Sequence, residues 1–533
     1  MTTCGEALVP LLASYGVDTA FGIPGAHTIE LYRGVAGSAL THITPRHEQG
    51  AGFMADGYAR VCGKPAVCFI ITGPGMTNIA TAMGQAMQDS IPMLVISSVN
   101  NTHQLAMGEG RLHELPDQRA LIAGVSRFSH TLLRAADLPK VLARAFGVFT
   151  SQRPGPVHIE IPLDVITQSA EGMDLEPWPL PGPPGANPAS ISQAADLLNK
   201  SQRPLIVVGG GAVNAAEEIR ILAEKLSSPV VNTVNAKGVL PYSHPLAVGG
   251  SGSCAAIKSE IETADVVLAV GTEFAETEFD FFFTGDLKPR GKVIRMDIEP
   301  AQLARNVKPW IAICCDATLG VQALNKCVGD RKEDKGAQRT ATMRKALNPH
   351  RDARYDAVFA TIREALPEVI IAGDSAQPTY YALLNYECDA PRRYFHSASG
   401  YGTLGYAIPA ATGAKVAAPD TPVIGLIGDG AAQFSIGELA SAVDAGLNVI
   451  FLVWNNHGYT EIRRFMEEAG TAPIGVDISA PDFVGVAESF GCAGCRVTNL
   501  GQLKEALLAA NKRSGPSLIE IMEKEIAGGA PKF

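Results

Sequence analysis

The stretch from Pro65 to Ser97 constrains this chain more than any other. Pro65–Ile71 is an apolar run of strand length, Gly73, Pro74 and Gly75 interrupt it, Met76–Met87 has helical length, and Pro92–Ser97 is a second apolar run. A strand without polar alternation is buried on both faces, and two such strands joined through a helix run parallel. The segment therefore predicts a βαβ unit in an α/β fold. Pro65 to Gln88 carries no charge, yet its glycines, proline and Asn78 break the continuous helix a membrane span would need.

The pattern returns twice. Val423–Ile427 reads as a strand, Ile436–Asp444 as a helix, Asn448–Trp454 as the next strand, and a further helix starts at about Tyr459. The two outer parts of the chain are expected to share a fold. Between them, Leu205–Val208 leads into Gly209, Gly210 and Gly211, a helix ending near Leu226 and a strand over Pro229–Thr233. That part is Rossmann-like but lacks the third glycine of GxGxxG, and Asn232 and Thr233 stand where an acidic residue would hold a ribose, so it reads as structural.

The proline-rich run from Glu176 to Pro188 is expected to be an exposed connector, and the charged stretch from Cys327 to Tyr355 a second joint. Three domains follow, over residues 1–170, 190–325 and 345–533. Lys and Arg total 44 against 54 Asp and Glu, a net charge of −10 that offers no basic field to nucleic acid or an anionic membrane. Small molecules are the expected partners. Ten cysteines without a regular framework suit reduced thiols and a cytoplasmic location. Cys492 and Cys495 form one CxxC with no second pair to complete a zinc site, so they are expected in a packed turn. Glu6 interrupts any apolar run at the amino end, and no signal peptide is expected.

The chemistry concentrates at Gly428, Asp429 and Gly430, at the end of a buried strand and just before a helix, where glycine admits a close ligand and a helix start favours an anion. The next strand ends at Asn455, Asn456, His457 and Gly458, so a carboxylate and two amides are expected to converge at neighbouring parallel strand tips. One carboxylate with amide and carbonyl oxygens makes a half-shell for Mg²⁺, completed by water and a diphosphate.

This spacing resembles the thiamin diphosphate motif of the acetolactate synthase and 2-oxo acid decarboxylase family. The similarity runs over nearly the whole chain, including Phe21–Gly25, Arg46-His47-Glu48, Gly57–Arg60, Gly73-Pro74-Gly75 with Asn78, and Gly402–Gly405. The resemblance implies a pyrimidine-binding, a central and a diphosphate-binding domain. Mg²⁺ would be held by Asp429, Asn456 and the carbonyl of Gly458. Glu48 would contact the pyrimidine ring and relay its proton, Gly402 would receive the exocyclic amine, and Leu404 would bend the cofactor. Gly73, Asn78, Ser375, Gln377, Gly428, Gly430 and Ala431 would complete the cofactor site. The resemblance also implies a homodimer or homotetramer whose sites lie between subunits.

Leu112-His113-Glu114 stands where synthases of the family carry Phe-Gln-Glu and pyruvate decarboxylases carry paired histidines. His113 is expected to bind a carboxylate or shuttle a proton, and Glu461 to lie near the substrate. Glu273, Glu276, Glu278 and Asp280 replace an arginine-rich segment that synthases use near FAD, so FAD is not expected. An acid-rich rim suits a 2-oxo acid with a guanidinium tail. Arg111–Gln118 and Thr44–Gly57 are similar to the branch of the family that converts 5-guanidino-2-oxopentanoate to 4-guanidinobutanal and CO₂. A carboligase joining two 2-oxo acids, and a catalytically silent cofactor-binding regulatory protein, are the alternative readings.

Overall fold

A computed structural model describes residues 2–280, 285, 287–331, 335–347 and 351–526. The chain forms two compact units, one of Met1–Pro181, Thr361–Ala376 and His396–Phe533, the other of Gly182–Ala360 and Gln377–Phe395.

The first sheet holds β1 (Thr19–Gly22), β2 (Thr41–Ile43), β3 (Ala66–Ile70), β4 (Met93–Val99), β5 (Phe128–Thr131) and β6 (Pro156–Pro162) in the order β2-β1-β3-β4-β6-β5. The second holds β7 (Pro204–Val208), β8 (Val230–Asn232), β9 (Val266–Val270), β10 (Lys292–Asp297) and β11 (Ile311–Cys314) in the order β11-β10-β9-β7-β8. The third holds β12 (Ile370–Gly373), β13 (Tyr394–His396), β14 (Val423–Gly428), β15 (Ile450–Asn455), β16 (Ala493–Val497) and β17 (Ser517–Met522) in the order β13-β12-β14-β15-β17-β16. The described strand registers are parallel. The first and third sheets have the same strand order, as expected from the repeated pattern. Every residue of β3, β4 and β15 is buried, which is why these strands read as unbroken apolar runs.

Within the first unit, the helix Glu48–Cys62 lies directly on the helix Ala407–Ala417. A Cβ on Gly57 would fall 2.0 Å from the carbonyl oxygen of Ala410, and one on Gly413 would fall 1.8 Å from that of Met54, so only glycine permits this reciprocal approach. Beside the crossing, buried Arg60 donates to Asp56 Oδ1 at 2.6 Å and Asp89 Oδ2 at 2.6 Å, while the Tyr406 hydroxyl donates to Asp56. These charges are buried together and so compensate one another.

In the second unit, Gly209 and Gly211 after β7 are pressed against Gly271, with a Gly209 Cβ only 2.2 Å from the Gly271 carbonyl. Tight packing of strand ends accounts for them. The connector from Glu176 is largely exposed and irregular, but its last residue, Pro188, opens the helix Pro188–Lys200 behind the capping side chain of Asn187. The expected joint over 327–355 differs from the structure. It contains the helix Gly336–Ala346, with Thr340 and Met343 buried. Arg339 Nε donates to Glu260 Oε1 at 2.9 Å, and Arg344 donates to the carbonyls of Ala247 and Tyr242. Arg339 and Arg344, which make this stretch look solvated, serve part-buried acceptors of the second unit. Residues up to Ala360, together with Gln377–Phe395, also pack in that unit.

Cys492 is buried just before β16 and Cys495 lies on it, and the cysteines form no disulfide. Among the described residues, no helix is long and apolar enough to cross a membrane.

Candidate active site

At the tips of β14 and β15, Asp429 is 1% exposed and opens the helical turn Asp429–Ala432, with Gly428 as its cap. Its Oδ2 accepts the N–H of Gly458 at 3.0 Å, which joins the two tips. Burial pushes the Asp429 carboxyl above the usual range, while backbone N–H groups of Asn456, Gly458 and Gly430 pull it back. His457 has φ of 62° and Gly458 of 141°, a turn that delivers Gly458 back toward Asp429. A Cβ on Gly430 would meet the Tyr459 ring at 2.6 Å, and Ala431 is buried beneath.

The two asparagines do not converge. Asn455 is buried, its Nδ2 donates to Glu520 Oε1 at 2.7 Å and its Oδ1 accepts the His457 N–H at 3.1 Å. Asn455 thus secures the turn, and Asn456, the next residue beyond the strand, is half-buried.

Next to β14, Asp374 follows β12 and is fully buried; its carboxylate accepts N–H groups of Ser375 and Ala407, both at 2.9 Å. Burial raises its pKa to about 6. Asp374 thereby anchors the helix that follows the Gly402–Gly405 loop. Thr403 at the centre of that loop is held by three side chains. Its carbonyl accepts the hydroxyls of Ser397 at 2.7 Å and Ser375 at 3.4 Å, and its own hydroxyl donates to Gln85 Oε1 at 3.1 Å. Gly402 has φ of 74° and is exposed, and Leu404 is half-buried. Gln377 is buried at the start of the helix Gln377–Asn385.

On the first sheet, Glu48 is the first residue of its helix, behind His47, whose Nδ1 accepts the N–H of Gln49. The side chain is half-buried, and Asn78 Nδ2 donates to its Oε2 at 2.9 Å. A Cβ on Gly75 would come within 3.4 Å of Glu48 Oε1, and one on Gly73 within 2.4 Å of the His113 carbonyl. The Gly73 turn therefore has Glu48 and Asn78 at one end and the His113 backbone at the other.

The sequence singles out no role for His27, Thr72, Gln118 or Glu160 at this half-site, although Gln118 closes the Arg111–Gln118 motif. The His27 ring stands edge-on to His113 with centroids 5.2 Å apart, and its Nδ1 lies 3.1 Å from Thr72 Oγ1. Burial, with the charge of His113 second, lowers the His27 pKa. Gln118 is buried, accepts the Gly73 N–H at 2.8 Å, and donates to Glu160 Oε2 at 3.0 Å. No local spacing marks these residues, because they come from segments distant in sequence.

The acids of the expected rim are committed. Glu114 Oε1 accepts the Gly108 N–H at 2.7 Å and Oε2 that of Arg111 at 2.8 Å, which holds its carboxyl below the usual range and folds the 108–114 loop upon itself. Glu461, in the helix Thr460–Glu468, pairs with Arg464, which also donates to Glu468 at 2.7 Å. Glu461 and His113 thus lie in separate local networks.

Among the described residues, no group of three or more His, Cys, Asp or Glu could hold a metal ion. The β14 and β15 tips bring together the Asp429 carboxylate and the Asn456–Gly458 turn, joined by the Gly458 N–H on Asp429 Oδ2; a carboxylate, an amide and a backbone carbonyl are oxygen groups of the type that could hold a hard cation.

Comparison with known proteins finds three family matches along the chain. Residues 2–121 match the family described as thiamine pyrophosphate enzyme, N-terminal TPP binding domain, 191–324 its central domain, and 374–521 its C-terminal TPP binding domain. The probable 2-ketoarginine decarboxylase AruI of Pseudomonas aeruginosa is 43% identical, covering 97% of this chain and 94% of that protein. The acetolactate synthase large subunit of Parasynechococcus marenigrum is 33% identical, over 97% and 86%. The acetolactate synthase isozyme 1 large subunit of Escherichia coli is 32% identical, over 97% and 93%.

Proposed function

Because the chain belongs to the thiamine pyrophosphate enzyme family, we propose that it decarboxylates a 2-oxo acid without oxidation, converting 5-guanidino-2-oxopentanoate to 4-guanidinobutanal and CO₂. The observation that carries the reading is the Asp429–Gly458 clasp, with Asn456 beside it, on a chain that also pairs Glu48 with Asn78. The substrate follows the similarity to AruI, which covers nearly the whole chain.

In this reading Asp429, the Asn456 side chain and the Gly458 carbonyl hold Mg²⁺. Gly428, Gly430 and Ala431 bring backbone to the diphosphate, and Gly73, Ser375, Gln377, Gly402 and Leu404 shape the rest of the cofactor cavity. Bound thiamin diphosphate supplies an electron sink for the pair left when the carboxylate departs. Glu48 would supply the carboxyl that exchanges a proton with the pyrimidine ring nitrogen, and Asn78 Nδ2 holds its Oε2 at 2.9 Å. His113 binds the substrate carboxylate or delivers the proton that replaces it. Glu461 receives the guanidinium tail; Arg464 keeps a carboxylate partner in Glu468 when Glu461 is taken. We assign no FAD, on the ground that Glu273, Glu276, Glu278 and Asp280 stand where an arginine-rich segment would otherwise meet it. The site is completed between two copies in a homodimer or homotetramer, and the enzyme works in the cytoplasm.

Purified protein with thiamin diphosphate and Mg²⁺, offered 2-oxo acids with neutral, acidic and guanidino tails, is expected to release CO₂ and a free aldehyde from the guanidino acid. Accumulation of acetolactate from pyruvate would support the carboligase reading instead, and no turnover of any acid the silent one.

A further inference from the structure

The segment that introduces Glu48 rests on a carboxylate from the part of the unit that follows Asp429. Glu438 is 2% exposed and opens the helix Glu438–Asp444. Both of its oxygens accept the N–H of Arg46, each at 3.1 Å, and Oε1 also accepts that of His47 at 3.0 Å. Its Oε2 accepts the Ser441 hydroxyl at 2.6 Å, which fixes the rotamer. Asp444, at the far end of the same helix, pairs with the Arg46 guanidinium. A Cβ on Gly50 would lie 2.1 Å from Glu438 Oε1, so the carboxylate sits where any larger residue on the Glu48 helix would displace it.

Residues 46 and 47 precede the helix, and their N–H groups have no acceptor in its ladder. A buried carboxylate that takes both fixes the backbone at the helix entry, and with it the point from which the Glu48 side chain projects. Hydrogen bonds to a carboxylate are shorter and stronger than neutral ones, so this anchor is firmer than an ordinary cap. We infer that Glu438 is a positioning residue for Glu48, a strut joining the diphosphate half of the chain to the carboxyl that serves the pyrimidine half. The inference rests on the role proposed above for Glu48.

Full-length Glu438→Gln and Gly50→Ala proteins test the strut from its two ends. In both, amide hydrogen exchange in the peptide spanning residues 44–49 is expected to rise about tenfold or more, measured without cofactor, while peptides from β14 and β15 keep wild-type exchange. With substrate, kcat is expected to fall at least about tenfold and KM to stay within about threefold. Adding Glu438→Ala to Gly50→Ala makes room for the new methyl, so the double variant is expected to lose less than the two single losses combined. Unchanged exchange in folded variants, or losses that simply add, would overturn the strut. Should Glu438→Gln not fold, Gly50→Ala decides by the same readouts. Faster exchange alongside a Glu48→Gln enzyme of normal turnover would instead remove the role of Glu48 and leave the strut standing.

Discussion

Asn78 donates to Glu48 Oε2 across 2.9 Å, so one oxygen of the carboxyl at the head of the Glu48–Cys62 helix is occupied and the other is left for a ligand. Glu48→Gln keeps the volume but replaces an ionisable oxygen with an amide. Turnover is expected to drop by about two orders of magnitude or more, with thermal stability within about 0.5 kcal/mol of wild type. Steady-state kinetics with a denaturation curve checks both; near-normal kcat would remove Glu48 from the mechanism.

Asp429 and Gly458 depend on one another to close the β14 and β15 tips. Chelation with EDTA is expected to abolish activity and added Mg²⁺ to restore it. Asp429→Asn should weaken cofactor uptake about tenfold or more, read by calorimetry in the presence of Mg²⁺.

Asn455 and Asn456 should separate cleanly. Asn455→Ala leaves the buried Glu520 Oε1 without its amide partner and is expected to cost about 1–3 kcal/mol of stability in urea denaturation. Asn456→Ala should cost little stability and act on cofactor affinity. The reverse pattern would overturn the assignment of Asn456 to the crevice.

His158 lies fully buried on β6 between the hydroxyls of Ser97 and Ser129, at 2.8 and 2.7 Å. Burial lowers its pKa to about 3. The unfolded chain, titrating near its ordinary value of 6.5, therefore binds more protons between those limits. The contribution is complete above about pH 6.5 and is lost progressively as pH falls toward 3. Between pH 7.5 and 5, wild type is expected to lose about 2 kcal/mol more than His158→Asn, measured by urea denaturation at the two pH values.

Gly57→Ala would drive a methyl toward the Ala410 carbonyl at the helix crossing. A loss of about 1–3 kcal/mol is expected, and a similar loss for Gly413→Ala, both read from thermal unfolding.

The sequence alone determined the three parallel-sheet modules and the strand tips on which the proposed site is placed. Unbroken apolar runs such as Ala66–Ile70 and Val423–Ile427 leave no solvent face, which specifies parallel strands under helices. Gly428-Asp429-Gly430 and the turn after Asn455 stand at strand tips because glycine and asparagine end strands. Tertiary structure decided what each polar side chain does. Asn455 and Asn456 are chemically alike, yet Asn455 is buried on Glu520 while Asn456 is half-buried beyond the strand end. Glu114 and Glu461 are both acids of the motifs read from the sequence, yet one closes its own loop and the other meets Arg464. Gln118, His27 and Glu438 gain their partners only when segments far apart in sequence are packed together. Local periodicity reports which face of an element is buried; the hydrogen-bond partner of a buried polar atom is set by which distant segment packs there.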